Sequence, residues 1–215
     1  MKKTFHFIIA SILLGGFFAS CSSNRGFISS VTRDDIQQMV KFEMFDFGYV
    51  KDGSYVIEDD SVTDIAKSLF EKALADDKTL FVTETIVISD SLVHQEIQNE
   101  IKWCNYLAFS LFYPISIKDI EIPPTIDSIL CSRNERFGLI IYNGGYTCPD
   151  GIYNPPTGSG FYLGKQEGYI TSSILIVDSK NKDFAYVAHT ERNSDPMKAE
   201  THQKQLDKLL KKYRK

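Results

Sequence analysis

Residues Phe137 to Tyr142 form an almost unbroken apolar run, and it constrains the fold more than any other feature of the chain. A strand open to water on one side alternates apolar and polar residues, whereas a continuous run reads as a strand covered on both faces. Two further apolar runs, Ile170–Val177 and Phe184–His189, are joined by the polar stretch Asp178 to Asp183 and predict a hairpin. Upstream, Met44–Val50 and Tyr55–Ile57 mix aromatic and β-branched residues around Asp52-Gly53, reading as one or two strands with a turn. Leu80–Ile88 reads as a strand and Ile115–Ile120 as a shorter one.

Helical spacing appears between these strands. Ser61-Val62-Thr63-Asp64 has the form of a capping box, and Val62, Ile65, Ala66, Leu69, Phe70 and Ala73 recur on one side. Asp90 or Ser91 caps a long helix carrying Leu92, Val93, Ile97, Ile101, Cys104, Leu107, Ala108 and Leu111, which Pro114 stops. Pro123-Pro124-Thr125 opens a short helix with Ile126, Ile129 and Leu130. A last helix begins at Ser194 or Asp195 with Pro196 and docks through Leu206, Leu209, Leu210 and Tyr213. The resulting class is α+β, a mixed sheet with helices mainly on one face, as a single domain over 34–215.

The first twenty residues stand apart from this pattern. Lys2 and Lys3 precede the apolar stretch Phe5–Phe18, and the small residues Ala19 and Ser20 lie directly before Cys21, the layout of a secretory signal. About fifteen apolar residues span about 22 Å as a helix, short of the roughly 30 Å hydrocarbon core. Phe18-Ala19-Ser20-Cys21 resembles the lipobox of bacterial lipoproteins, with Phe18 where Leu is usual. That resemblance implies a diacylglyceryl group taken by the Cys21 thiol, then cleavage before Cys21, and multiple acylation of palmitate type that makes a firm anchor in the lipid bilayer. Ordinary signal-peptide cleavage, leaving Cys21 unmodified, is the alternative. Residues 21–33 then read as a lipidated cysteine and a polar tether, and the lack of acidic residues at 22–26 favours the periplasmic side of the outer membrane.

Removing Lys2 and Lys3 from the 24 basic residues leaves 22 against 28 acids, a net charge of −6. Such a body does not suit nucleic acid, whose phosphates demand a concentrated basic surface. The basic cluster Lys204, Lys208, Lys211, Lys212, Arg214 and Lys215 reads as a cationic helix end complementing the macrodipole.

Of the remaining cysteines, Cys104 lies on an apolar helix side, while Cys131 and Cys148 flank the Phe137 strand and are either a disulfide or two free thiols. No CxxC pair, HExxH zinc pattern, GxSxG elbow, Walker loop or dinucleotide fingerprint occurs, so the sequence calls for no metal and no cofactor. His94 with Glu96 falls on a solvated helix face. Glu58, Asp59 and Asp60 read as a charge bias at a helix start. Cys148 with His189 is the one nucleophile–base pair to consider, and no helix N-terminus is placed to stabilise its thiolate. With no catalytic residues to name, the balance is against an enzyme.

Gly144 to Gly168 is a connection of about twenty-five residues rich in Gly, Pro and Tyr. It carries Tyr146, Tyr153, Phe161 and Tyr162 on a Gly/Asn/Ser background, the composition of a binding loop, or of a long hairpin whose rings fold back on the core.

Phe137-Gly138-Leu139-Ile140-Ile141, Ile174-Leu175-Ile176-Val177-Asp178, Tyr186-Val187-Ala188, Asp195-Pro196 and the lysine-rich end together resemble periplasmic lipoproteins. The likeness is to the curli-secretion lipoprotein family and the N-terminal α/β domain of the Tol–Pal β-propeller protein, and covers about eighty residues. It implies an adaptor in envelope assembly or transport. A pore-forming hairpin is not supported, because 144–168 holds too much Pro and Gly for two alternating strands of about 9–11 residues. The sequence therefore predicts a non-enzymatic envelope lipoprotein that binds a protein partner or a glycan. An envelope hydrolase or transferase without a recognisable motif, or a subunit of a secretion assembly, are the alternatives.

Overall fold

A computed structural model describes residues 26–27, 31–51, 55–110, 120–150 and 167–215. In chain order the elements are β1 (Gly26–Phe27), a 3-10 turn (Arg33–Asp35), β2 (Met39–Lys51), β3 (Tyr55–Glu58), α1 (Asp60–Asp76), β4 (Val82–Thr85) and α2 (Ser91–Ser110). They continue with α3 (Pro124–Ser132), β5 (Phe137–Thr147), β6 (Gly168–Asp178), β7 (Asp183–Arg192) and α4 (Ala199–Leu210).

The sheet runs β1-β7-β6-β5-β2-β3, with β4 pairing the first part of β2 beyond β3's reach. β5 lies antiparallel to β6 and parallel to β2, so the sheet is mixed. Its position between two full-length neighbours explains the unbroken apolar run: both faces of β5 are buried. On one face Met39, Leu139, Ile141, Ile174, Ile176 and Ala188 pack on Phe70 and Ala73 of α1 and on Leu206, Leu209 and Leu210 of α4. On the other, Val40, Phe42, Ile140, Leu175, Val177 and Val187 pack on Ile97, Ile101, Cys104 and Leu107 of α2 and on Ile126 and Leu130 of α3. A register shift at Ile176/Val177 turns both Ala185 and Tyr186 toward the first face.

The α+β class and mixed sheet are as the sequence predicts, but the helices divide two and two between the faces instead of gathering on one. The two-sided burial of β5 to β7 requires this, since an uncovered face would leave Ile140, Leu175 and Val187 in water.

Local signals act close to where they were expected. α1 is capped by Asp59, which accepts from the Val62 amide at 2.9 Å, two residues ahead of the anticipated Ser61 cap. Asp90 caps α2 by accepting from Leu92 and Val93. The N-terminus of α3 is held by the Glu100 carboxylate of α2, which accepts from Thr125 at 2.8 Å and Ile126 at 3.0 Å. Pro196 sits in a turn before α4, which starts only at Ala199. Gly26 and Phe27, within the segment expected to be tether, pair with Val187 and Tyr186 of β7. The strand expected over 80–88 shortens to Val82–Thr85, and that expected at 115–120 falls largely outside the described residues.

Candidate functional site

The last turns of α2 bring Asn105 and Phe109 onto the sheet where the apolar packing gives way to polar residues. Ser173 of β6 donates to Asn105 Oδ1 at 2.7 Å and lies 2.9 Å from Nδ1 of His189, its neighbour on β7. The serine proton goes to Asn105, so Nδ1 of His189 carries the hydrogen and Nε2 presents a lone pair. That Nε2 is buried without a hydrogen-bond partner among the described residues. The Phe109 ring meets the imidazole edge-on at 5.4 Å. Burial pushes the His189 pKa down to about 4, only partly opposed by Glu191, so the ring is neutral near pH 7.

A serine beside a histidine invites a hydrolase reading, and the geometry argues against it. Ser173 is 0% exposed and His189 2%, and the hydroxyl proton points away from the would-be base. The trio is a buried polar join between α2 and the sheet, with the His189 Nε2 lone pair left over.

Beyond the end of α2, the same sheet face carries Asp46, Tyr142, Tyr146, Tyr169, Thr171 and Glu191. Tyr146 and Tyr169 stack at 5.8 Å with 25° between ring planes, beside Val50 and Cys148. Tyr169 donates its hydroxyl to Glu191 at 2.5 Å, and burial followed by that carboxylate raises its pKa. Burial, then Asp46, pushes Tyr142 up to about 12. Gly144 makes room for the Tyr142 ring: a Cβ there would lie 2.7 Å from the phenol oxygen. All three phenols sit on paired strands and Tyr142 and Tyr169 stay protonated at neutral pH. This face therefore carries rigid aromatic rings flanked by Asp46 and Glu191, with Tyr146 buried and the Tyr169 hydroxyl already given to Glu191.

Next to it, α2 leaves three aromatics part-exposed: Tyr106 (67%) on its outer side, with Trp103 (41%) and Phe109 (43%) on its flanks. Three-residue spacing places them as a ridge along one and a half turns. Trp103 also leans on Phe184 at 6.5 Å, which limits its freedom.

Of the residues singled out from sequence, Tyr146 joins this surface, though as part of β5 and not of a loop, because the β5–β6 pairing extends to Thr147↔Gly168. Tyr153, Phe161 and Tyr162 lie outside the described residues, as does Cys21. Cys131 and Cys148 are both free thiols, so the disulfide considered between them is not formed. Cys131 sits 3.2 Å from Ser179 at the Phe137 end of β5, and Cys148 follows its other end. Eleven strand residues lie between, which at about 3.3 Å each is far beyond the roughly 7 Å that a disulfide spans between Cα atoms. Cys148 and His189 do not meet either: Cys148 pairs opposite Glu167, six positions along β6 from Ser173, the partner of His189. His94 is exposed on α2 and Cys104 is buried, its thiol pKa raised by burial.

The α2 ridge was missed because Trp103, Tyr106 and Phe109 fall between the positions of the apolar stripe, where their three-residue spacing was the available signal. Tyr142 and Tyr169 could not be grouped with Tyr146 before the strand register was known. Among the described residues no group of three or more His, Cys, Asp and Glu is arranged to hold a metal ion, and no helix is long and apolar enough to cross a membrane.

No protein-family model matches the chain, and no curated protein does. Among solved structures it is similar to the PelC dodecamer from Paraburkholderia phytofirmans, at 10% identity over 89% of this chain and 96% of that one, with a TM-score of 0.39. A point variant of the same PelC gives 10% identity, 89% and 97% coverage, and a TM-score of 0.37. Likeness of this degree carries no argument about what this chain does.

Proposed function

We propose that this chain is a membrane-anchored α+β binding module, acting by contact and not by catalysis. More particularly, it is an outer-membrane lipoprotein, facing the periplasm on acyl groups at Cys21, that serves as an adaptor for another envelope protein. The observation that carries this reading is the exposed ridge of Trp103, Tyr106 and Phe109. Aromatic residues dominate the energetics of protein interfaces, and three together on a helix are costly to leave in water. A convex ridge suits the groove of a folded partner, whereas small ligands favour concave sites. The stacked Tyr146–Tyr169 pair favours a glycan as second reading, since its flat rings beside Glu191 offer both stacking and a hydrogen-bond acceptor.

A photoreactive amino acid at position 106 of the full-length protein, activated in intact envelopes, tests the proposal. One discrete protein adduct is expected, lost on Trp103→Ala and absent when the probe replaces exposed Lys72 on α1. No adduct from 106, or the same adduct from 72, overturns it. Mass analysis of the mature N-terminus tests the anchor; an unmodified Cys21 refutes it.

A further inference from the structure

The basic end of the chain and its N-terminal strand meet in space. Gly26, at φ +125°, packs against the stem of Lys212: a Cβ there would lie 3.0 Å from Lys212 Cδ and 3.2 Å from its Cβ. Gly26 is five positions from Cys21, and five residues reach at most about 18 Å. An acylated Cys21 therefore holds Lys212 close to the bilayer.

The turn after α4 is built to face outward there. Tyr213 is buried at 1% exposure against Tyr186, ring centroids 5.2 Å apart. Arg214 is tied to Asp77 and Asp207. Its amide donates to Leu210 at 3.0 Å, continuing helical geometry past the end of α4. With 213 inward and 214 sideways, Lys211, Lys212 and Lys215 share the remaining side, at spacings of one, three and four residues, and all three are exposed. Among the described residues no carboxylate forms an ion pair with them. The C-terminal end of the helix dipole favours cations here, as at Lys208 in the last turn of α4, but it does not call for three lysines without carboxylate partners on one side.

We propose that Lys211, Lys212 and Lys215 form a membrane-docking surface for the headgroup phosphates of anionic phospholipid, beside the anchor. The inference rests on the acylated-Cys21 reading for the proximity of a bilayer. The body carries a net charge of −6 after removal of the leader, so a local cationic triangle orients the molecule: this corner turns to an anionic surface and the acidic remainder away. Each lysine near such a surface contributes about fivefold to partitioning, and three contribute about a hundredfold. High salt screens the effect.

The test reconstitutes the purified full-length lipoprotein into vesicles of phosphatidylglycerol or of phosphatidylcholine and labels lysines with an amine-reactive ester, read by mass spectrometry. Lys211, Lys212 and Lys215 are expected to react at least about fivefold more slowly in phosphatidylglycerol, with protection lost in high salt and Lys72 and Lys102 unchanged. The Cys21 peptide in the same digest reports acylation, so the two readings fail separately. Acylated Cys21 with no protection overturns the docking surface. Equal protection by inorganic phosphate without vesicles also overturns it, marking a small-anion site. Unmodified Cys21, with sedimentation on phosphatidylglycerol that is lost in the Lys211→Glu, Lys212→Glu, Lys215→Glu variant, removes the anchor and keeps the docking surface. Unmodified Cys21 without sedimentation removes both.

Discussion

Replacing Glu43 by Gln probes an ion network that β2 buries under α1. Glu43 forms ion pairs with Lys41 at 2.6 Å and Lys67 at 2.9 Å, and Lys41 also lies 3.7 Å from Glu71. The side chains of Lys41 and Glu43 are 8% and 11% exposed, whereas Lys67 is 40% exposed. Glu43→Gln keeps the shape but leaves the Lys41 ammonium buried with only a distant carboxylate. Breaking a buried pair by removing one partner costs about 3 kcal/mol or more, which for a chain of this size lowers the Tm by about 6–12 °C. Lys41→Met should cost less, about 1 kcal/mol, because Glu43 keeps the Lys67 contact and Lys67 reaches water. The pH dependence has a definite sign. Burial works to raise the Glu43 pKa, but hydrogen bonds and charges from Lys41 and Lys67 outweigh it and hold it below the usual 4.5. Its contribution is thus present above the unfolded value and lost as pH falls through the folded one. Thermal unfolding in detergent, followed by the single tryptophan Trp103, should show wild type and Glu43→Gln far apart at neutral pH and converging in acid. A gap below half a kcal/mol, a gap independent of pH, or a larger loss for Lys41→Met would refute the argument.

Three further outcomes follow from local geometry. Gly145→Ala adds a side chain 2.0 Å from the Tyr169 carbonyl oxygen at φ +149°; it should part β5 from β6 and cost several kcal/mol, read as a drop in the denaturation midpoint. Glu100→Ala uncaps α3 and should cost about 1–2 kcal/mol, with hydrogen exchange accelerating first at the Thr125 and Ile126 amides. His189, held neutral to about pH 4, protonates more readily unfolded, so stability should fall as pH drops from about 6.5 toward 4; His189→Phe should flatten that slope, and an unchanged slope would show that His189 is not its source.

Much of this fold was legible in the order of residue types. The unbroken Phe137–Tyr142 run implied a two-sided strand, the hairpin across Asp178–Asp183 was visible, and the apolar stripes of α1, α2 and α4 named most of the residues that dock. The site was far less legible. Tyr146 could be suspected from composition, but its partnership with Tyr169, Tyr142 and Glu191 depends on strand register, which hydrophobic pattern alone does not number. Lys41 and Glu43 lie ahead of the strand expected from Met44, and only β2 running from Met39 under α1 shows that these charges are buried and paired.

By itself, then, the sequence determined much of what acts locally: which segments are strands or helices and, to within a few residues, where their caps and breaks fall. Short-range sterics and periodic apolarity carry that information. Only the tertiary structure decided which face each helix covers, that β2 lies beside β5, that Cys131 and Cys148 stay apart, and that Lys212 packs against Gly26. Those choices come from pairing segments distant along the chain, where burying two apolar faces at once, and no local preference, selects the arrangement.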